Sequence, residues 1–304
     1  MKKVLLIIVL AFLFVQCKKD DIQNVNDEAK IPVKLELSMN QDNRTLFGLV
    51  LPEGKILWGN ECGREYLYMA VPNSTIYDGK VLGEMIELTA EFDIPSERMV
   101  FTGEIPESKL LKEGVVELYY FGSACKENNV LNVKKLYHKG TGIHIGMNMV
   151  LSVQKGNMEE LGNYHLAKIT ATVSIKKDIK GNIYIDLREE KIENLNSIVK
   201  LDLLGIKKLY GTAVAPQYFK VQWNEETMSF EEYREEVPNS CFYVNEKNEK
   251  YCYISLLPKY KNVYLESPRG RIYFDDLRGG QIYIGKMTGD IDEALPLQWE
   301  YIGE

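Results

Sequence analysis

Along most of this chain, apolar and polar positions alternate with a period of two. Ala171, Val173 and Ile175 fall on one side, with Thr170, Thr172 and Ser174 on the other. Ile183, Ile185 and Leu187 oppose Tyr184 and Asp186; Val199, Leu201 and Leu203 oppose Lys200 and Asp202; Phe219, Val221 and Trp223 oppose Lys220 and Gln222. Successive side chains of a strand point to opposite faces, so each run predicts one buried and one wet face. Further strands are expected at Val33–Met39, Thr45–Val50, Tyr66–Val71, Met85–Phe92, Met99–Gly103, Val115–Phe121, Ile143–Val153, Tyr251–Leu256, Arg271–Phe274, Gln281–Gly285 and Leu297–Tyr301. Turn signals at Pro52-Glu53-Gly54, Asp78-Gly79, Lys180-Gly181-Asn182 and Gly279-Gly280 separate them. Short strands at this spacing predict an all-β chain of β-sandwiches.

Three segments depart from the alternation. Glu107–Lys112 reads as one helical turn. Leu187–Ser197 spaces Ile192 and Leu195 by three among charges, and residues 224–236 run into a stripe of Phe230, Tyr233 and Val237. Both patterns predict short helices. A chain of 304 residues suggests two domains. The polar stretch Arg188–Asn194, just before the apolar run Ile198–Leu203, places the boundary, giving sandwiches over 31–190 and 191–304. A break near residue 160 is the alternative.

Met1–Lys3 is basic and Val4–Val15 is an uncharged apolar run, too short to span a bilayer but the right length for the core of a secretory signal. Cys17 follows directly, then Lys18, Lys19, Asp20 and Asp21. This start resembles a bacterial lipoprotein signal, with cleavage between Gln16 and Cys17 and acyl chains on Cys17. Gln16 stands where such signals prefer a small residue. A signal anchor left uncut, or a secretory signal with an incidental cysteine, is the other reading. The charged run after Cys17 resembles the export tag of Bacteroidetes-type lipoproteins displayed at the cell surface. It implies an outer-membrane, lipid-anchored chain facing outward. Residues 17–30 are polar and without hydrophobic period, as a flexible tether requires.

Charge and chemistry narrow the function classes. Lys and Arg total 37 against 44 Asp and Glu, a net charge of −7, which points away from nucleic acid as a partner. Beyond Cys17 the cysteines are Cys62, Cys125, Cys241 and Cys252, with no paired zinc spacing. A hairpin centred near Glu246 and Lys247 would set Cys241 opposite Cys252 and permit a disulfide; two reduced core cysteines are the equal alternative. His138, His144 and His165 lack the spacing that puts two ligands on one helical face. Gly140-Thr141-Gly142 lacks the phosphate-loop pattern and reads as a turn. Asp275-Asp276 and Asp290, Asp292 and Glu293 flank turn glycines and read as solvated loops, weak Ca²⁺ binding being the other option. No enzyme activity, cofactor or metal is expected. Trp58, Trp223 and Trp299 fit core positions on strands; a glycan platform is the alternative use.

Several stretches resemble the fimbrillins, pilus-subunit lipoproteins of Bacteroidetes-type cells. They are ILWGNECGREYLYMAV, ELTAEF, MVFTGEIP, VELYYFG, YHLAKITATV, NIYIDL, LNSIVKLDLLG, YISLLP and the closing LPLQWEYIG, in the family's order. The resemblance implies two transthyretin-like β-sandwiches in tandem and assembly by strand exchange. A protease of basic specificity removes the first strand, and a strand from another subunit fills the groove. Val33, Leu35 and Leu37, alternating with Lys34, Glu36 and Ser38, fit that first strand. Arg44, in the polar loop behind it, is the candidate cut site, and Lys30 the alternative. Leu297, Trp299 and Tyr301 share one face and form a candidate donor strand; a resident closing strand is the other reading. The expected partners are further fimbrillin-like subunits or self, the outer-membrane lipid through Cys17, and a host or bacterial surface receptor. The second function class is a surface glycan-binding lipoprotein of a polysaccharide-uptake system.

Overall fold

In the computed structural model, residues 29–38, 50–51, 54–55, 64–91, 98–109, 114–122, 133–151, 154, 156–202, 208–211, 216–236, 240–244, 250–258, 260–267, 270–286 and 298–301 are described. Their strands, in chain order, are β1 (Lys30–Ser38), β2 (Val50–Leu51), β3 (Gly54–Lys55), β4 (Arg64–Tyr77), β5 (Lys80–Glu91), β6 (Arg98–Pro106), β7 (Gly114–Phe121), β8 (Val133–Tyr137), β9 (His144–Val150), β10 (Leu166–Lys177) and β11 (Ile183–Asn194). They continue with β12 (Ser197–Asp202), β13 (Lys208–Gly211), β14 (Pro216–Asn224), β15 (Ser229–Glu236), β16 (Ser240–Val244), β17 (Tyr251–Leu256), β18 (Tyr260–Ser267), β19 (Gly270–Asp276), β20 (Ile282–Lys286) and β21 (Gln298–Tyr301). The chain is all-β. Glu107–Lys109 and Met158–Tyr164 form 3₁₀ turns, the first lying inside the turn expected at 107–112.

Seven strands close into a barrel in the order β1-β11-β10-β7-β4-β5-β6, with β6 pairing back to β1. Its interior is filled by the residues that the alternation assigns to the buried face. Examples are Val33, Leu35 and Leu37 of β1, Phe101 of β6, Ile169 and Ala171 of β10, and Ile185 and Leu187 of β11. Strands β4 and β7 are buried on both faces. Leu67, Met69 and Leu118 point into the barrel, whereas Tyr68, Ala70, Tyr119 and Phe121 point into a second core. Burial on two sides explains why these segments read as continuous apolar runs.

The second core lies between that outer barrel face and strands from the rest of the chain. Met147 and Met149 of β9, Phe219 and Val221 of β14, Val199 and Leu201 of β12, and Cys252 and Ile254 of β17 all join it. A sheet ordered β15-β14-β9-β8 mixes residues from both halves of the sequence. Two further four-stranded sheets, β17-β12-β20-β21 and β16-β13-β18-β19, are built from residues 197–301 alone. A buried polar cluster ties the halves together. Gln154 Nε2 donates to the carbonyls of Leu151 and Ser255, each at 2.8 Å, and Asn196 Oδ1 accepts from Leu166 N at 3.0 Å.

Both expected helices are strands. Residues 224–236 turn at Glu225–Met228 and return as β15, so Trp223 faces Phe230 across a hairpin rather than along a helix. The two rings sit edge to face at 5.3 Å. Asn224 Oδ1 accepts from Glu226 N at 2.9 Å and starts the turn, and Met228 takes a positive φ of 54°. The stretch 187–194 continues β11, and the barrel ladder therefore runs through residues 190 and 191 to Asn194 before β12 begins at Ser197.

Candidate functional site

The first strand and the groove that holds it form the candidate site. Ile31, Val33, Leu35 and Leu37 are buried at 5% exposure or less, while Pro32, Lys34 and Glu36 are exposed. Along one side β1 pairs antiparallel with β6 over its whole length, from Lys30 opposite Pro106 to Ser38 opposite Arg98. Along the other it pairs parallel with β11, with Val33 opposite Ile185 and Leu35 opposite Leu187. The strand is thus a stave of the barrel whose removal would expose two ladder edges and a strip of core.

On the side of β6 away from β1, the barrel seam is short. β5 and β6 meet through the pair Thr89 and Thr102. Gly103 makes this crossing possible, because a side chain there would run into Leu88 and the Glu87 carbonyl. The groove walls, Phe101 and Gly103 on one side and Ile185 and Leu187 on the other, go unmarked in the sequence reading. A glycine inside an otherwise apolar strand is the signal that could have found the crossing.

The expected processing residues fall unevenly on the structure. Lys30 is the first residue of β1, exposed, with Nζ 3.4 Å from Glu104 Oε2. A cut there would release the tether and leave β1 in place, whereas a cut at Arg44 would take β1 with it. Arg44, Gln16 and Cys17 lie outside the described residues, as do Trp58 and Leu297. Trp299 and Tyr301 belong to β21, which pairs antiparallel with β20, Trp299 opposite Gly285 and Tyr301 opposite Tyr283, at the end of its sheet.

The centre of the expected hairpin, residues 245–249, lies outside the described residues, and the strands on either side of it pair elsewhere. Cys241 lies in β16, whose partner is β13, and Cys252 lies buried in β17, whose partner is β12.

The three histidines are scattered. His138 sits in a turn with Nε2 3.3 Å from Glu225 Oε1. His144 Nε2 lies 2.9 Å from the Gly146 carbonyl, and burial, followed by nearby Lys135, holds its pKa below the ordinary value. His165 is buried, with Nε2 2.8 Å from Asn194 Oδ1; burial pushes its pKa down to about 4, against the smaller upward pull of Asn194. Each is accounted for by packing. No cluster of three metal-ligating side chains occurs among the described residues. Residues 138–142 form a turn, as expected.

Trp223 is a core residue, 4% exposed, stacked on Gly83 and against Phe230. Its ring is therefore turned away from use as a flat sugar platform. The part of it that is not covered lines an open hollow with Lys80, Gln222, Asn224, Glu226 and Tyr233.

No protein-family model matches the chain, and no curated protein does. Among solved structures, a fimbrial assembly protein from Parabacteroides distasonis is similar over 90% of this chain and 94% of its own, at 10% identity and a TM-score of 0.36.

Proposed function

We propose that this chain is a lipid-anchored, surface-displayed pilus subunit or adhesin of fimbrillin type that assembles by β-strand exchange. The chain would be anchored through Cys17 until a cut at Arg44 removes the anchor together with β1, and the assembled subunits would hold two transthyretin-like sandwiches and partners of the same kind. The observation that carries the reading is β1. It contributes four buried apolar side chains and fills the slot between β6 and β11. Burying four such side chains stabilises by about 6–12 kcal/mol, so a vacated slot would bind a matching strand tightly. The ladder edges would set the register of that strand, and alternate pockets its sequence. The signal-like start and the ordered fimbrillin-like segments of the sequence support the same reading.

The test compares cells making the natural chain with cells making Arg44→Ala. Surface polymers from the first and their loss in the second are expected. Polymers of undiminished length from Arg44→Ala would refute cleavage at that residue as the trigger.

A further inference from the structure

The end of the barrel where β1 begins carries a second feature. β11 runs parallel to β1, so both strands start at the same end. The turn joining β10 to β11 is therefore beside Ala29, where the preceding chain reaches the barrel. Ala29 itself is fixed there, its carbonyl accepting from Glu107 N at 2.8 Å.

That turn presents Ile179 fully exposed, with Ile175 and Ile183 more than one-third exposed on the strands below it. Lys177 and Lys180 flank it, both exposed, while Lys176 beside them is paired with Asp186. Asp178, the carboxylate of the tip, is directed into the turn. Its Oδ1 accepts from Lys180 N and Asn182 N, each at 2.8 Å, and its Oδ2 accepts from Asn182 Nδ2 at 2.9 Å. These bonds fix the loop and hold the Asp178 pKa below its ordinary value, Asn182 being the main cause. Val115 adds a further exposed aliphatic at this end, opposite Thr172.

A rigid, convex tip with an aliphatic point flanked by Lys177 and Lys180 has no groove to grip a protein ridge. Its shape and charge suit a fluid, anionic surface into which isoleucine can sink while the ammonium groups meet phosphates. The tether makes that surface available. With Cys17 acylated, the twelve residues to Ala29 give a mean reach of about 20 Å and a limit of about 40 Å.

We infer that the β10–β11 turn, led by Ile179 with Lys177 and Lys180, is a membrane contact that seats the barrel on an anionic lipid headgroup surface. This rests on the anchored reading above. It would orient the molecule with β1's first residue toward the bilayer and Ser38 away from it.

The test places a reporter at the tip in the full chain. Ile179→Trp and Val100→Trp chains are made in acylating cells and reconstituted into vesicles of phosphatidylethanolamine with one-quarter phosphatidylglycerol, the acyl chains bromine-labelled. Val100 is also exposed but lies opposite Glu36, near the far end of β1. The added emission of the Ile179→Trp chain should be quenched about twofold more than that of the Val100→Trp chain, because bromine quenches only at contact with the lipid interior. Adding Lys177→Gln and Lys180→Gln should reduce the difference. Equal quenching overturns the proposal, as does a blue shift at position 179 without quenching, which would place the tip against protein. The intact mass of the same preparation reports acylation of Cys17. An acylated chain with equal quenching defeats the tip contact alone. An unacylated chain defeats the anchor, and the same quenching difference then decides the tip by itself.

Discussion

Val33 stands opposite Ile185 in the parallel ladder between β1 and β11, while the other pairings around the barrel are antiparallel. A strand held this way has its own turnless entry to the fold. Neither β6 nor β11 is joined to it by a hairpin, so under the proposed exchange its loss would leave every hairpin of the barrel intact.

The strand's contribution to stability is measurable. Leu35 is completely buried, and Leu35→Ala should destabilise the chain by about 2–5 kcal/mol through lost burial and the cavity left behind. Glu36→Ala, on the exposed face, should change stability by no more than about 0.5 kcal/mol. Urea unfolding of the two variants checks the alternation directly.

Gly83 is a second sensitive point. The Trp223 ring occupies the space a Cβ would need. Gly83→Ala should therefore cost about 1–3 kcal/mol by overpacking. It should also alter the near-ultraviolet circular dichroism of the indole. An unchanged spectrum and midpoint would show that β5 and β14 do not pack as described.

Acid should weaken the joint between the barrel and the C-terminal sheets. His165 titrates near 4 when folded because burial disfavours its charge, against about 6.5 in an unfolded chain. Between those values the unfolded state binds more protons. Stability from this residue is thus complete above about pH 6.5 and falls as the pH drops toward 4, by up to about 3 kcal/mol. His165→Gln should flatten the pH dependence of urea midpoints across that window. An identical slope in both chains would contradict it.

Much of the fold was legible in the alternation, and the failures have local causes. β10 and β14 follow the period-two runs, β12 and β17 lie where strands were expected but are buried along nearly their whole length, and the Asp78-Gly79, Lys180-Gly181 and Gly279-Gly280 turns lie where expected. The 187–194 stretch was obscured by a bulge. Thr170 pairs with Lys191 but Ala171 with Glu189, so the inward positions change from Ile185 and Leu187 to Ile192 and Asn194. An extra residue in a strand reverses its parity and imitates helical spacing. The hairpin at 224–229 was hidden because its turn uses Met228 at positive φ rather than glycine. β8, interrupted by Lys134 and Lys135, and the brief β13 and β16 carry too little alternation to register. The parallel partner of β1 leaves no local mark, since its residues are about 150 positions away in sequence and only the closed ladder brings them together. The candidate strand was therefore visible, but not the groove.

The most direct measurement is the N-terminal sequence and intact mass of subunits taken from cell-surface polymers. Subunits beginning at Thr45, with residues 30–38 gone from the assembled material, are the predicted result. Polymers whose subunits still carry Lys30–Ser38, or a processed chain that stays monomeric, would contradict strand exchange.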